Sequence, residues 1–224
     1  ARRNKIHKRK TIPRFRFSGR RVIFILMRKI LTSEFFDRDA KKIARELLGK
    51  YLVRRHHSLI RENKRIMKRG RNDAFMITET EAYDGPRDKA SHASRGKTKR
   101  NAPMFGLPGR WYVYLCYGTY EMLNIVIGKG GYPAAILIRG AGSHKGPGKL
   151  TKALRIDREF NNKIADKKTG LWIEDRGVKI FPKDIIRTPR VGVHYAKEWA
   201  GKPYRFLIKN KIQPLVMKGT KAKP

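Results

Sequence analysis

Glu79, Glu81 and Tyr83 recur at alternate positions in Ile77-Thr-Glu-Thr-Glu-Ala-Tyr83. On a strand this spacing puts two carboxylates and a phenol on one face, with Thr78, Thr80 and Ala82 on the other. Such a face suits a flat, partly apolar ligand. A fixed carboxylate can also stabilise a developing cation and take the proton from an attacking water. Parity does not choose between Glu79 and Glu81, and either could equally serve a surface ion pair in a basic chain. Farther on come His92, the run Trp111-Tyr-Val-Tyr-Leu-Cys-Tyr117, Asn124 and Arg139. Alternation puts Tyr112 and Tyr114 on one face and Val113, Leu115 and Tyr117 on the other. One set can line a pocket while Tyr117 projects elsewhere.

The partner is indicated by charge. A formal net charge of +37 over 224 residues calls for a polyanion. Nucleic acid is the first candidate and an anionic membrane surface the second. A sugar hydrolase also uses spaced carboxylates, but the charge and the aromatic run speak against a polysaccharide. Cys116 is the only cysteine, which leaves no intramolecular disulfide and fits a reducing compartment. The apolar run Val22-Ile-Phe-Ile-Leu-Met27 is far short of the about 20 residues that span a bilayer. It reads as a core segment.

These side chains need elements to hold them. Residues 1–33 contain twelve Lys or Arg and no acid, and read as a flexible basic arm. A helix is predicted from Asp37 as N-cap through Ala40, Ile43, Ala44, Leu47 and Leu48, stopped by Gly49. Lys50 to Ile60 and Ala74 to Tyr83 read as strands joined by a basic connection, Arg61 to Asn72. His56-His57 beside it reads as hairpin surface rather than a metal site. Residues 84–109 form a long Gly/Pro-rich loop of the kind that carries function. Arg110 to Tyr117 and Tyr120 to Gly128 form a hairpin about Gly118-Thr119, with the glycine placement of a type II′ turn. Pro133 to Arg139 is a further strand. The glycine-rich 140–149 segment fails the phosphate-loop pattern and leads into a helix from Lys149 to Ile156. Residues 157–189 read as irregular, 190–193 and 203–209 as closing strands, and 218–224 as a frayed tail.

Several blocks together resemble the alkyladenine (3-methyladenine) DNA glycosylases of the non-helix-hairpin-helix type. They are ITETEAYDGPRDKASHA, GKTKRNAPMFGLPGRWYVYLCYGTYEMLNIV, AAILIRGA, GPGKLTKALRID and RVGVHYAKEW, in order across most of residues 34–210. The resemblance implies that Glu81 is the catalytic base, with Arg139 and the Val191 carbonyl helping it to hold the water. It implies that Tyr83 and Tyr114 sandwich an extruded base beside His92, and that Asn124 disfavours guanine. Tyr117 would be the wedge that fills the vacated space in the duplex. It implies no metal or organic cofactor, and water rather than a lysine as nucleophile.

The expected architecture is a single α+β domain over 34–217, a curved, mostly antiparallel sheet with packed helices and a protruding DNA-intercalating β-hairpin. The basic arm 1–33 and the basic tail 218–224 flank it. The expected activity is hydrolytic release of alkylated or deaminated purines (3-methyladenine, hypoxanthine, ethenoadenine) from double-stranded DNA, at the start of base excision repair. The expected protein is a monomer, intracellular and away from membranes, with a nuclear address preferred over an organellar one. The alternative is a non-catalytic basic protein that binds RNA or chromatin.

Overall fold

The structure, a computed structural model, describes residues 28–62 and 65–209, with side chains described outside 57–69. The readings made for residues 1–27, Val22–Met27 included, and for the tail 218–224 lie outside the described residues. In chain order the strands are β1 (Lys29–Ile30), β2 (Tyr51–Glu62), β3 (Arg65–Asp84), β4 (Trp111–Cys116), β5 (Tyr120–Val126), β6 (Ala134–Ala141), β7 (His144–Lys145), β8 (Leu171–Asp175), β9 (Ile185–Thr188) and β10 (Arg205–Ile208). The helices are α1 (Ser33–Phe36), α2 (Ala40–Glu46) and α3 (Pro147–Leu154), with short 3-10 turns between.

All of these strands belong to one antiparallel sheet, in the order β1-β8-β2-β3-β6-β5-β4 along its main path. β3 spans it, and changes neighbours along its length. Its first half pairs with β2, from Glu62↔Arg65 to Tyr51↔Met76. Its second half runs beside β6, while β10 pairs with Glu79–Glu81 on the other side. The segment that holds the acidic residues is therefore the one flanked by strands on both edges.

Period-2 alternation decides which layer each residue joins. Ala82, Ile136, Ile138, Ile125, Leu123, Trp111 and Val113 all enter the main core, together with Ile43, Leu47, Leu150 and Leu154 of the helices. Burying each large apolar side chain of this kind is worth about 1.5–3 kcal/mol. Polar hooks fix the helices on the strands: Thr80 Oγ1 donates to the Ala44 carbonyl at 2.8 Å and Thr151 Oγ1 to the Glu121 carbonyl at 3.0 Å. The opposite face of β3–β6–β5–β4 is left for Glu81, Tyr83, Asn124, Tyr112 and Tyr114. Among the described residues no helix is long and apolar enough to cross a membrane.

Several expectations are corrected. The last residues of the expected arm are ordered, since β1 pairs with β8 and Leu31 is buried in the core. Asp39, not Asp37, caps α2 by accepting from the Lys42 N–H at 2.9 Å. Asp37 instead closes α1, whose Phe36 must be buried first. Gly49, with φ +86°, follows α2 as expected. The basic connection 61–72 is ladder over 61–62 and 65–72, because its hydrogen bonds are made by backbone groups and do not need apolar side chains. Residues 157–189 contain two strands, β8 and β9, too short to show a period in the sequence. Residues 190–193 are not a strand: Gly192 turns the chain, and the Val191 N–H is taken by a side chain rather than by a ladder.

Candidate active site

One row of the sheet carries much of the site. Arg205, Glu81, Leu137, Asn124 and Tyr112 are direct register partners across β10, β3, β6, β5 and β4. Tyr83 and Tyr114 lie two residues along on the same face. The shared face expected for Glu79, Glu81 and Tyr83 is thus formed, and it continues over three more strands.

Glu81 has no solvent-exposed surface. Its Oε1 accepts the Val191 N–H at 2.8 Å and its Oε2 accepts the Tyr83 hydroxyl at 3.0 Å. Burial pushes its pKa up; Arg139, the Val191 N–H, Tyr83 and Arg205 pull it partly back, and the net direction is upward. A buried carboxylate with two neutral hydrogen-bond donors and one long cation contact is poised to take up a proton. Glu79, which parity could not separate from Glu81, is tied up differently. Its Oε1 accepts from Arg139 Nε at 2.8 Å and from Arg205 Nε at 2.7 Å.

Arg139 is brought to the site by a register shift. Gly140 pairs with Glu79 and Ile138 with Thr80, so Arg139 is the extra residue of a bulge, a device that re-aims a side chain. Its Nε bonds to Glu79 and lies 3.4 Å from Glu81 Oε1. Its closer carboxylate partner is therefore Glu79. For Val191, the group on Glu81 is the N–H.

The aromatic group lies across the same face. The His92 and Tyr114 ring centroids are 4.6 Å apart and those of Tyr112 and Tyr114 are 5.1 Å apart. His92 Nδ1 is 3.0 Å from the Tyr112 hydroxyl. Burial, then the Arg100 charge, pushes the His92 pKa down, which favours the neutral ring. The Arg100 guanidinium stacks over Tyr114 at 5.1 Å. Tyr83 packs with Ala90, Val193 and Ala196 on the other side of the site. Beyond His92 a cleft of about 260 Å³ opens, lined by Lys89, Ser91, Arg95 and Tyr195. Asn124 is buried and its Nδ2 donates to the Tyr112 and Met122 carbonyls, both at 3.1 Å, which leaves Oδ1 as its remaining polar group.

Tyr117 stands apart from these, 88% exposed at the hairpin tip. The turn differs from the expected one. Thr119 N–H bonds to the Cys116 carbonyl, and the two residues between them, Tyr117 and Gly118, have φ of +50° and +67°. Positive φ at both central positions is the sign pattern of a type I′ turn, moved one residue toward the N-terminus. The left-handed backbone is easy for Gly118 and strained for a tyrosine.

Sequence reasoning missed Asp88 and Arg190. They form a fully buried bidentate pair, with Arg190 Nη1 2.5 Å from Asp88 Oδ2 and Nη2 2.8 Å from Oδ1. As isolated letters in GPRDKASHA and PRVG they read as surface charge, the usual place for both types. Only the adjacency of Arg190 to Val191 could have drawn attention to it.

A buried carboxylate beside a cluster of aromatic rings, on a strongly basic chain, fits an enzyme that works on nucleic-acid bases. Comparison with known proteins makes the class specific. The family model for methylpurine-DNA glycosylase (MPG) matches residues 34–145 and 141–212. A protein of Anaeromyxobacter dehalogenans is 44% identical over 189 residues, covering 80% of this chain and 83% of its own. One of Methanocella arvoryzae is 43% identical over 201 residues, covering 81% and 93%. One of Legionella pneumophila strain Paris is 44% identical over 191 residues, covering 82% and 96%. All three are named provisionally as 3-methyladenine DNA glycosylases. The chain belongs to the methylpurine-DNA glycosylase family. These relatives include bacterial proteins, so the preference for a nuclear address gains no support from them.

Proposed function

We propose that the protein hydrolyses the N-glycosidic bond of alkylated or deaminated purines in double-stranded DNA, 3-methyladenine first, with hypoxanthine and ethenoadenine as further substrates. The observation that carries the reading is Glu81: a carboxylate without exposed surface, held by Val191 N–H and the Tyr83 hydroxyl, on the face that also presents Tyr114 and His92. The nucleotide must leave the helix to reach such a site. Tyr83 and Tyr114 then flank the extruded base beside His92, and Tyr117 fills the space left in the duplex. As the C1′–N9 bond breaks, its electron pair goes to the purine and positive charge builds on the sugar. Glu81 opposes that charge and accepts a proton from the water whose oxygen bonds to C1′. Arg139 and Val191 position Glu81 and the water. Asn124 Oδ1 faces the base edge and disfavours guanine.

A non-catalytic basic binding protein would share the charge but has no use for a buried, proton-accepting carboxylate among aromatic rings. Single-turnover release of hypoxanthine from a duplex tests the reading. Wild type should release the base, and Glu81→Gln should bind the lesion duplex while losing well over tenfold in rate. A variant rate within about tenfold, about 1.4 kcal/mol of barrier, removes Glu81 from the role.

A further inference from the structure

We infer that Arg190, clamped by Asp88, is a positioning residue that holds the Val191 N–H and the Tyr83 ring against Glu81. The inference rests on Glu81 being the general base and adds to that reading what fixes its geometry.

The pair joins the end of β3 and the loop that follows it directly to residues 190–191, more than a hundred positions later in the sequence. Arg190 bonds both Asp88 oxygens through Nη1 and Nη2, and Nη1 also donates to the Ala82 carbonyl at 2.8 Å. Its guanidinium lies between two rings, with Cζ 4.9 Å from the Tyr83 centroid and 5.2 Å from that of Tyr204. Asp88 in turn accepts the Asp84 N–H and the Ala90 N–H, both at 3.1 Å, and so pins the loop that leads to His92. The end of β3, the start of that loop and residues 190–191 are thereby joined at one buried point. The next residue, Val191, puts its N–H on Glu81 Oε1, and the ring stacked on the guanidinium puts its hydroxyl on Glu81 Oε2. Both short contacts on the base therefore depend on Arg190.

The chemistry of the pair fits this use. A fully buried ion pair is a poor source of net stability, because desolvation of the two ions offsets their attraction. What a planar, bidentate and stacked guanidinium supplies is fixed geometry, which a lysine ammonium cannot reproduce. The groups that face Glu81 are Tyr83 and Glu79 on β3, Arg139 on β6, Arg205 on β10 and Arg190 on the 189–193 segment. Arg190→Lys keeps the positive charge in that set, so a changed titration of Glu81 in this variant reports lost geometry rather than lost charge.

The experiment is the pH profile of single-turnover hypoxanthine release, with lesion-duplex Kd and Tm measured in parallel, on the full chain and on R190K and D88N/R190Q. The double variant removes both charges together and leaves neither ion buried alone. If the Val191 N–H drifts from Glu81, the carboxylate becomes easier to protonate. The acid limb of the profile should then move up by about one pH unit in both variants, with lesion Kd within about threefold of wild type. A pair that only stabilised the fold would lower Tm and leave the limb in place. A limb within about 0.3 pH unit of wild type in either folded variant overturns the inference. Failure of both variants to fold would assign the pair to stability and overturn it too. Wild type without base release, or without an acid limb that Glu81→Gln abolishes, overturns the proposed function and this inference with it.

Discussion

Glu79→Gln is expected to extend activity to lower pH, opposite in sign to most damage at an active site. Glu79 and Glu81 share Arg139 Nε at 2.8 and 3.4 Å, so the two oxygens are no farther apart than the sum of those distances. Two unit charges about 6 Å apart repel by about 2.7 kcal/mol at an effective dielectric of about 20, and about 1.4 kcal/mol corresponds to one pH unit. Neutralising Glu79 removes this repulsion and frees Arg139 and Arg205 to turn toward Glu81. Both changes favour the ionised form of Glu81, so its folded-state pKa falls. The acid limb of single-turnover hypoxanthine release should move down by about one to two pH units. One pH unit below the wild-type limb the variant should be up to about tenfold faster. The high-pH plateau should fall somewhat, because a carboxylate of lower pKa is a weaker base. The assay is quenched-flow release from a hypoxanthine duplex at pH 4.5–9. An unmoved or raised limb refutes the electrostatic argument, and a plateau loss of more than about a hundredfold would transfer the base role to Glu79.

The remaining predictions concern stability, flipping and selectivity. Glu81 has a raised folded-state pKa, so its stability contribution is fully present below the unfolded pKa and lost as pH rises through the folded one. Glu81→Gln should therefore melt above wild type at pH 8, with the difference closing toward pH 4 in scanning calorimetry; an equal Tm at both would contradict the burial cost. Tyr117→Gly removes the exposed ring and relaxes a φ of +50°. It should keep or slightly raise Tm while lowering the flipped fraction seen by ethenoadenine fluorescence, and an unchanged flipping equilibrium would reject the wedge role. Asn124→Ala deletes two hydrogen bonds to backbone carbonyls and should cost about 1–3 kcal/mol of stability. It should also raise release of guanine-type bases relative to hypoxanthine, and a fixed ratio would limit Asn124 to a structural part.

The parts of the site that were readable in sequence are those set by strand alternation. Glu81 and Tyr83 share a face of β3, and Tyr112 and Tyr114 a face of β4, because every second residue must. That both sets and Asn124 lie on one face of the sheet follows from the register of β3, β6, β5 and β4, which the sequence does not show. Arg139 could not be derived this way, since a bulge takes it out of the regular count. Asp88 and Arg190 were hidden for a different reason: a charged residue buried by its partner looks the same in sequence as one in water. The hairpin was found, but its tip was misplaced by one residue because Gly118 marks a turn without fixing which neighbour joins it in left-handed backbone. β8 is not legible because Leu171-Trp-Ile173 is too brief to show a period, and its neighbour in space, β2, lies more than a hundred residues earlier.

The β2–β3 ribbon has a consequence independent of the chemistry. Past Arg55, β2 has no further strand beside it among the described residues, and β3 has none on its other edge before Ile77. Two long open edges are templates on which another copy of the chain could add a strand. The sequence there carries Arg54, Arg55, Arg61, Arg65, Lys68, Arg69 and Arg71, with few acids among them. Like charge along this stretch of sequence would oppose the approach of a second copy at low salt. That protection is only as good as the solvent allows. In about 1 M salt the screening length falls to about 3 Å, and the same ribbon then becomes the place where aggregation would begin.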